Sequence, residues 1–499
     1  MKIKKVISFT LAASMLFAGL VFGGCNNDLK QGEVNNTSIP NEIKQEDVKN
    51  TSIPNEPKQE EVKNSPLPVI STGSGKIEKV AEAKSLIADY PKNPDGAFDK
   101  DPFMSGEVEK YDQMEAKWEK ATEKRMEIAK SVPTMSKFAN GLVSEALKHS
   151  DGGNLVMSPA NIYMGLAMLA ETAGGETRTE ILKALDVESI EKLRENCDAL
   201  MKAESVDDGL TKTVLANSLW MNDGIEFNKE TLNTIAEKYY ASSYWGDPAS
   251  ESFGKAMKEW LDEQTGGLLK DSIECIEIPP ELILGIASTI YMKANWQNEF
   301  EPYYTDEETF HAPTGDIECD FMHGKFGAGG FYKGDNYAAV ALPLKNDSGN
   351  MWFLLPDEGT TVNEMLENGG MAFMLSDKSE AESDWMVNVS LPKMDVDSDS
   401  DIVEILKSMG INRCFTSEAD FTPLTSQGAY VSNVKHAARV KTDEEGMEAA
   451  AYTVILTCGS AFIPEVKEVD FVADRPFVFC ITGVSEAPLF VGAVNTPMN

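Results

Sequence analysis

The spacing of apolar residues changes along the chain, from helical repeats in its first part to strand-like runs in its last part. Phe138, Leu142 and Ala146 recur at helical spacing, and a helix that begins at Ser158 carries Tyr163 through Ala170. Helices dominate to about residue 270, and apolar strand-like runs follow at 283–292, 338–344, 351–355, 386–391, 471–481 and 488–494. Helices followed by strands, without regular alternation, predict an α+β fold rather than a doubly wound sheet.

The first residues have the organisation of an export signal. Three lysines within the first five residues precede the apolar run Val6–Phe22, which is short for a membrane span, and Gly23-Gly24-Cys25 follows. This resembles a bacterial lipobox, although Phe22 departs from the usual residue. We therefore expect residues 1–24 to be a lipoprotein-type signal peptide outside the fold. The protein is then exported and held by lipidated Cys25 at the outer face of a bacterial membrane or cell surface, or is otherwise secreted.

The next hundred residues are polar and do not have the pattern of a packed core. Asn36–Lys49 and Asn50–Lys63 are near-identical 14-residue repeats, rich in charge and punctuated by proline. Residues 25–70 are therefore expected to be a disordered tether. Residues 71–130 form an acidic, partly helical segment of unknown role, with a charged helix predicted over 107–130.

Charge and cysteine usage exclude several classes of function. The formal net charge of −36 argues against nucleic-acid binding, which needs clustered lysine and arginine. The seven cysteines contain no CxxC motif, so zinc ribbons and thioredoxin-like redox sites are excluded, and mostly free, buried thiols are expected. No metal site and no cofactor are predicted. Residues 395–401 are rich in aspartate, but they lack the glycine and glutamate of a calcium loop and are interpreted as an acidic turn.

The sequence also gives no support to an enzyme. HExxH, GxSxG and Walker A motifs are absent from the chain. Ser158 and His436 suggest a hydrolase pair, but Ser158 precedes a proline at a helix start and is better interpreted as an N-cap.

Residues 444–453 place a flexible glycine before three alanines and stand directly before a β-rich run. Gly446 provides a pivot, and Thr453–Thr457 has the composition of a strand. On these residues alone, two interpretations fit. They are a short helix followed by an ordinary core strand, because alanine and glutamate favour helices, or an extended segment small enough to slide between other strands.

Several motifs occur in the order that is typical of serpins. They are Asn154–Pro159, Ile290–Trp296, Leu354–Gly359, Leu391–Lys393, Glu444–Thr453, Asp474–Phe477 and Pro488–Gly492. The chain therefore resembles a serpin from about residue 131, and residues 131–499 are assigned to that domain. The resemblance implies a serpin fold of class α+β, with N-terminal helices, three β-sheets and a central sheet able to accept the reactive loop as an extra strand.

The resemblance also implies suicide inhibition of serine proteases. A protease serine attacks the scissile carbonyl of the exposed loop and forms an acyl-enzyme. The cleaved loop then inserts into the central sheet and distorts the oxyanion hole before water can deacylate the enzyme. The reactive bond would be Ser460-Ala461, within one or two residues. The loop hinge would consist of Glu444, Gly446, Met447, Ala449, Ala450, Ala451 and Thr453.

Insertion requires that every second loop residue turns inward and is uncharged. Counted from Gly446, the inward set is uncharged, and Glu448 and Tyr452 fall on the solvent side. Met447 stands where serpins usually have threonine or serine, which predicts either slow insertion or cleavage as a substrate. The inward residues are Met447, Ala449, Ala451, Thr453, Ile455, Thr457 and Gly459.

The loop composition indicates the class of protease. Between Glu444 and Val466 there is no lysine or arginine, so trypsin-like enzymes are poor targets. The small residues around Ser460-Ala461 favour elastase-like or subtilisin-like enzymes, and Phe462 leaves a chymotrypsin-like target open. The expected partners are the target protease, in a covalent complex, and the lipid bilayer through Cys25, and the protein is expected to be a monomer. The alternative is a non-inhibitory, serpin-fold binding or surface protein that is cleaved as a substrate.

The resemblance assigns a further set of residues to the opening of the sheet. Polar side chains under the central sheet, called the shutter here, correspond to Ser158, Asn161, Ser288 and His436. Serpins usually have serine and asparagine at the second and third of these positions, and here the two are exchanged. We expect Asn161 and Ser288 to hydrogen-bond with their roles reversed. Trp296 corresponds to a tryptophan beneath the top of the sheet, the breach, where the loop enters.

Overall fold

The structure is a computed structural model of the chain. It describes residues 11–22, 79–80, 83–95, 108–150, 152–327, 330–375, 381–382, 385–444 and 467–498. The helices of this part are α1 (Val108–Ala129), α2 (Ser136–His149), α3 (Pro159–Thr172), α4 (Gly175–Ala184), α5 (Ile190–Glu204), α6 (Lys229–Lys238), α7 (Glu251–Gln264), α8 (Lys270–Glu274), α9 (Val362–Met365), α10 (Met371–Leu375) and α11 (Val403–Ser408). No described helix has the length and apolar character that crossing a membrane requires.

The described strands form three sheets. They are β1 (Leu11–Phe22), β2 (Lys79–Val80), β3 (Ala83–Leu86), β4 (Leu155–Met157), β5 (Val206–Asp207), β6 (Thr211–Asn222), β7 (Ala241–Gly246), β8 (Leu282–Ala294), β9 (Thr305–Ala312), β10 (Gly315–Gly327), β11 (Gly330–Lys333), β12 (Tyr337–Pro343), β13 (Asn350–Pro356), β14 (Trp385–Pro392), β15 (Met394–Asp401), β16 (Ala429–Thr442), β17 (Lys467–Val472), β18 (Phe477–Thr482) and β19 (Pro488–Val494). The central sheet has nine strands in the order β15-β16-β1-β8-β6-β7-β3-β2, with β5 paired to β6. The others have the orders β17-β14-β10-β9 and β11-β12-β13-β18-β19-β4.

The predicted α+β class is confirmed, and the main core lies between the central sheet, the helices and the six-stranded sheet. Helix α3 runs through this core, and all fourteen of its residues are buried. Its sequence is apolar on every side apart from Asn161, Glu171 and Thr172, which explains why it can be enclosed completely. A second cluster lies under the six-stranded sheet, and a third joins the outer face of the central sheet to α7.

The position of β1 differs from the expectation for the N-terminus. In the unprocessed chain, residues 11–22 form the strand between β16 and β8, and their removal as part of a signal peptide stays a prediction. The run pairs antiparallel with both neighbours. Strands buried on both faces are near-continuous apolar runs, so the property that marks this segment as an export signal also suits it to the middle of a sheet.

Part of the segment of unknown role packs on the domain. Strand β3 extends the central sheet beside β7, and the Tyr90 hydroxyl donates to the Asn217 carbonyl oxygen at 3.3 Å. The predicted charged helix is present as α1, with Trp118 buried. Residues 83–95 and 108–129 thus belong to the folded body.

One further expectation needs correction, and another is confirmed. Residues 395–401, interpreted as an acidic turn, lie in strand β15, where Arg439 and Lys441 contact the Asp395 carboxylate at 2.8 and 3.1 Å. Cross-strand cations therefore compensate a charge that seemed suited only to a turn. The expectation of mostly buried thiols is confirmed for the described cysteines, because Cys197, Cys414 and Cys480 are buried, Cys319 is half-buried and Cys275 alone of them is exposed.

Candidate functional site

The described part of the site is the strand position between β8 and β16, together with the residues beneath it and at its top. Glu444 is the last described residue before the predicted reactive loop. The other predicted residues of the loop and anchor lie outside the described residues, and their roles stay predictions. They are Gly446, Met447, Ala449, Ala450, Ala451, Thr453, Ser460, Ala461 and Cys25.

The structure brings the four shutter residues together at the N-terminus of α3. Ser158 caps the helix, because its hydroxyl oxygen accepts from the Asn161 N–H at 3.2 Å. The same hydroxyl donates to the Leu489 carbonyl oxygen at 2.5 Å. The Ser158 N–H donates to His436 Nε2 at 3.1 Å. Ser158 is therefore a structural cap with both hydrogen-bonding roles used, which fits the N-cap interpretation rather than that of a nucleophile.

The exchanged pair bridges helix α3 and strand β8. Asn161 Nδ2 donates to Ser288 Oγ at 2.9 Å, and both residues are almost completely buried. The amide is thus the donor to the hydroxyl oxygen, as the exchange of the two residues predicts. The role of this bond in sheet opening stays a prediction.

The exchange can be tested by stability measurements. Asn161→Ser alone should lower the free energy of unfolding by about 1–3 kcal/mol, since it shortens one partner of a buried hydrogen bond. Asn161→Ser with Ser288→Asn restores the pair in the usual arrangement and should lose less. Thermal unfolding of the three proteins measures this, and equal losses in the single and double variants would refute the paired role.

His436 is fully buried within this cluster. Burial disfavours the charged ring and lowers its pKa from 6.5 to about 4, and a backbone group of Met15 opposes this more weakly. The ring is therefore neutral at pH 7. Its Nε2 is then free to act as the acceptor that the Ser158 N–H requires.

At the top of the sheet, the breach tryptophan anchors the end of β16. Trp296 is fully buried and its Nε1 donates to the Asp443 carbonyl oxygen at 2.9 Å. The N–H of Phe300 donates to the Glu444 carbonyl oxygen at 3.0 Å. The carbonyl groups of Asp443 and Glu444, which directly precede the predicted loop, are therefore both held by hydrogen bonds.

The Glu444 side chain is held at the same point by two partners that sequence reasoning missed. Lys393 Nζ lies 2.8 Å from Glu444 Oε1, and the Thr305 hydroxyl donates to the same oxygen at 2.7 Å. Burial alone would raise the pKa of the Glu444 carboxyl, but these hydrogen bonds outweigh it and lower the pKa. From the sequence, Lys393 is recognised only as part of a motif. The pairing of Lys393 with Glu444 could not be predicted, because 51 positions separate the two residues and no local pattern connects them.

The strand position itself is enclosed on both faces. Leu16, Ala18 and Leu20 of β1 join the main core, whereas Ala13, Met15 and Phe17 join the cluster under α7. Outward-facing residues of an inserted loop were expected to meet solvent. This expectation needs correction for the part of the strand position that α7 covers. On the outer face of the central sheet, the charged side chains of Arg439 and Lys441 do reach water, since they are 37% and 42% exposed.

The comparison that decides the family is with its sequence model. The model described as Serpin (serine protease inhibitor) matches residues 133–497. The chain belongs to the serpin family. Members of this family are generally protease inhibitors rather than enzymes, and proteases are their partners. The match begins at residue 133, and the division of the chain into domains stays a prediction.

Individual relatives cover most of the domain. An uncharacterised serpin-like protein of Thermococcus kodakarensis is 28% identical over 424 residues, which cover 81% of this chain and 92% of that protein. Leukocyte elastase inhibitor of Bos taurus is 29% identical over 375 residues, covering 72% of this chain and 98% of the inhibitor.

Solved structures show the same fold. Tengpin, a thermophilic serpin in its native state, matches with a TM-score of 0.63 and 26% identity over 73% of this chain and 93% of its own. Human thyroxine-binding globulin, solved with its hormone, matches with a TM-score of 0.64 and 21% identity over 75% of this chain and 100% of its own. The second likeness concerns the fold alone.

Proposed function

We propose that this serpin is an exported suicide inhibitor of elastase-like or subtilisin-like serine proteases. The protease cleaves the loop near Ser460-Ala461, and the loop inserts into the central sheet while the acyl-enzyme is still intact. The observation that carries the proposal is the strand position between β8 and β16. It admits a twelve-residue strand antiparallel to both neighbours, which is the direction taken by a segment that folds back after β16.

The anchors at Asp443 and Glu444 support this direction of insertion. They fix the chain where β16 ends, next to the top of the strand position, so that the following residues are tethered beside the place they must enter. A tethered segment meets its site at a high effective concentration. The small, uncharged residues of the predicted inward set suit the apolar inner face that Leu16, Ala18 and Leu20 occupy.

The proposal includes export and anchoring. Residues 1–24 act as the leader, Cys25 becomes the lipidated first residue, and residues 25–70 tether the domain to the membrane. The net charge of −36 keeps the domain soluble beside an anionic surface. The mass of the N-terminal peptide, measured on protein purified from the membranes of exporting bacteria, tests this part, and an uncleaved or unmodified terminus would refute lipidation.

Inhibition is tested by trapping. Protein purified from exporting cells is incubated with subtilisin or pancreatic elastase, and the products are separated on a denaturing gel. We expect a covalent band at the summed mass, because the ester survives denaturation, and loss of protease activity in proportion to the added serpin. Mass spectrometry of the released C-terminal fragment identifies the scissile bond.

Trypsin is the matched control for specificity, because the loop contains no lysine or arginine before residue 467. It should form no covalent band. Clean cleavage of the loop by subtilisin and elastase, with full protease activity remaining, would instead favour the alternative of a non-inhibitory serpin. That alternative accounts for the fold and motifs equally well, since fold does not determine function.

A further inference from the structure

The apolar segment of the leader occupies the place where loop insertion would have to occur. Strand β1 forms twelve register pairs with β16 and eleven with β8. Strands β8 and β16 run in the same direction, because both are antiparallel to β1, and each turns hydrogen-bonding groups toward the space between them. One extended segment fills this space, so a second cannot enter while the first remains.

The packing of β1 matches its surroundings on both faces. On the inner face, a Cβ placed on Gly165 of α3 would lie 2.0 Å from Leu16 Cδ2, so the leucine fills room that only glycine leaves. On the outer face, a Cβ on Gly285 of β8 would lie 2.7 Å from Phe17 Cε2. Leu16 and Phe17 thus each rest on a glycine of the domain.

The strand also covers the shutter. Leu16 is the register partner of His436 on β16 and of Ser288 on β8. Both of these residues are almost completely buried in the structure. Two members of the polar cluster assigned to sheet opening therefore flank the middle of β1, and a loop that inserts between them would first have to displace β1.

We propose that, in the precursor that still carries its leader, residues 11–22 block the strand-acceptor site, and that removal of the leader opens this site. The inference rests on the proposed function, because it is insertion that the leader prevents. Secretion and activation then depend on one cleavage. A precursor that fails to be exported stays unable to trap proteases inside the cell, whereas the processed protein outside has an acceptor site free for its own loop.

Hydrogen exchange tests the occupancy independently of any inhibition. The full precursor is made without export, and exchange is followed in peptides from Leu282–Ala294 and Ala429–Thr442. The variant Leu16→Asp places a charge against Gly165 and should expel the strand, raising exchange in both segments by at least about tenfold, because their ladder bonds open. Tyr303→Asp is the control, since it introduces the same aspartate at an apolar side chain that is 71% exposed, and it should leave exchange unchanged.

Trapping of subtilisin tests the block. We expect no covalent band with the precursor or with Tyr303→Asp, and a band with Leu16→Asp and with the exported protein. Equal exchange in the precursor and in Leu16→Asp overturns the inference. A covalent band as strong with the precursor as with the exported protein also overturns it. If exchange differs as expected but the exported protein forms no band, the occupancy stands and the proposed function fails.

A cysteine pair keeps the inference testable if Leu16→Asp does not fold. Ala18 and Val434 are direct register partners across β1 and β16, a distance that a disulfide can span. Ala18→Cys with Val434→Cys should form a mapped disulfide in the precursor under mild oxidation. The shifted pair Ala18→Cys with Val431→Cys should not, because Val431 pairs with Leu20. Equal crosslinking of both pairs, or of neither, contradicts the assigned strand position.

Discussion

Replacing Ala451 with glutamate should abolish the covalent protease complex while leaving cleavage of the loop intact. Insertion gains about ten ladder hydrogen bonds at roughly 1 kcal/mol each, on the order of 10 kcal/mol in all. Burial of one unpaired carboxylate costs several kcal/mol, and most neighbours on the inner face of the strand position are apolar, such as Ala438 and Val440. Slower insertion gives water time to deacylate the enzyme, so the variant becomes a substrate.

The matched control is Ala450→Glu, which adds the same group one residue earlier. That position belongs to the outward set, and the outer face of β16 near its end carries Arg439 and Lys441, both partly exposed. We expect this variant to keep most of its trapping. The number of serpin molecules consumed per elastase molecule measures the difference, which should exceed about tenfold in favour of Ala450→Glu, since 1.4 kcal/mol already corresponds to that factor. Equal loss in both variants would mean that alternation does not govern insertion.

Glutamate is preferable to arginine in this pair, because a basic residue would add a cleavage site for trypsin-like enzymes. A third variant, Met447→Thr, tests the unusual first inward residue. If methionine slows insertion, threonine should lower the number of serpin molecules consumed. Together the three proteins separate the effect of charge from the effect of side-chain shape.

Local sequence patterns predicted the elements whose determinants are close together in the chain. The cap at Ser158 and the apolar helix that follows were predicted because a cap, a proline and a run of apolar residues are adjacent. The strands near the C-terminus were predicted because their apolar runs are uninterrupted. Strands β6 and β7 were missed, since they lie between helices and contain polar residues such as Asn217 and Ser242, which are nevertheless buried.

Long-range partners decided the features that could not be predicted. Lys393 and Glu444 form an ion pair only because β14 and β16 bring their ends together. Asp395 could be placed in a strand only with knowledge of its partners on β16. For residues 11–22 the pattern itself is ambiguous, because a leader and a strand buried on both faces need the same apolar run. The composition of residues 11–22 therefore predicts that they need an apolar environment. The fold determines whether that environment is a membrane or the middle of a sheet.

Mild acid should destabilise the precursor through His436. Its pKa in the folded state, about 4, is below the value of 6.5 for the free side chain. At any pH below 6.5 the unfolded chain therefore binds more protons, and stability that is complete above this pH is lost as the pH falls toward 4. Linkage gives a loss of about 2 kcal/mol between pH 7 and pH 5 and about 3 kcal/mol once the pH is below 4.

Urea unfolding of the precursor at pH 7 and pH 5 measures this loss. At pH 5 the unfolded carboxylates are still mostly ionised, so Glu444 and the other carboxyls of lowered pKa contribute little. His436→Gln keeps an acceptor for the Ser158 N–H and should lose most of the pH dependence. His149→Gln, at an exposed helix end, should retain it. A full loss at pH 5 in His436→Gln would show that another group is responsible.

The same measurement on the exported protein gives an independent test of the covering strand. His436 is enclosed partly by β1, because Leu16 is its register partner and a backbone group of Met15 interacts with its ring. Once the leader is removed, water can approach the imidazole and the folded-state pKa should rise toward 6.5, because the cost of burying the charged form falls. The loss of stability between pH 7 and pH 5 should then be clearly smaller in the exported protein than in the precursor. An identical loss in both forms would mean that β1 does not shield His436, and would count against the block of the acceptor site.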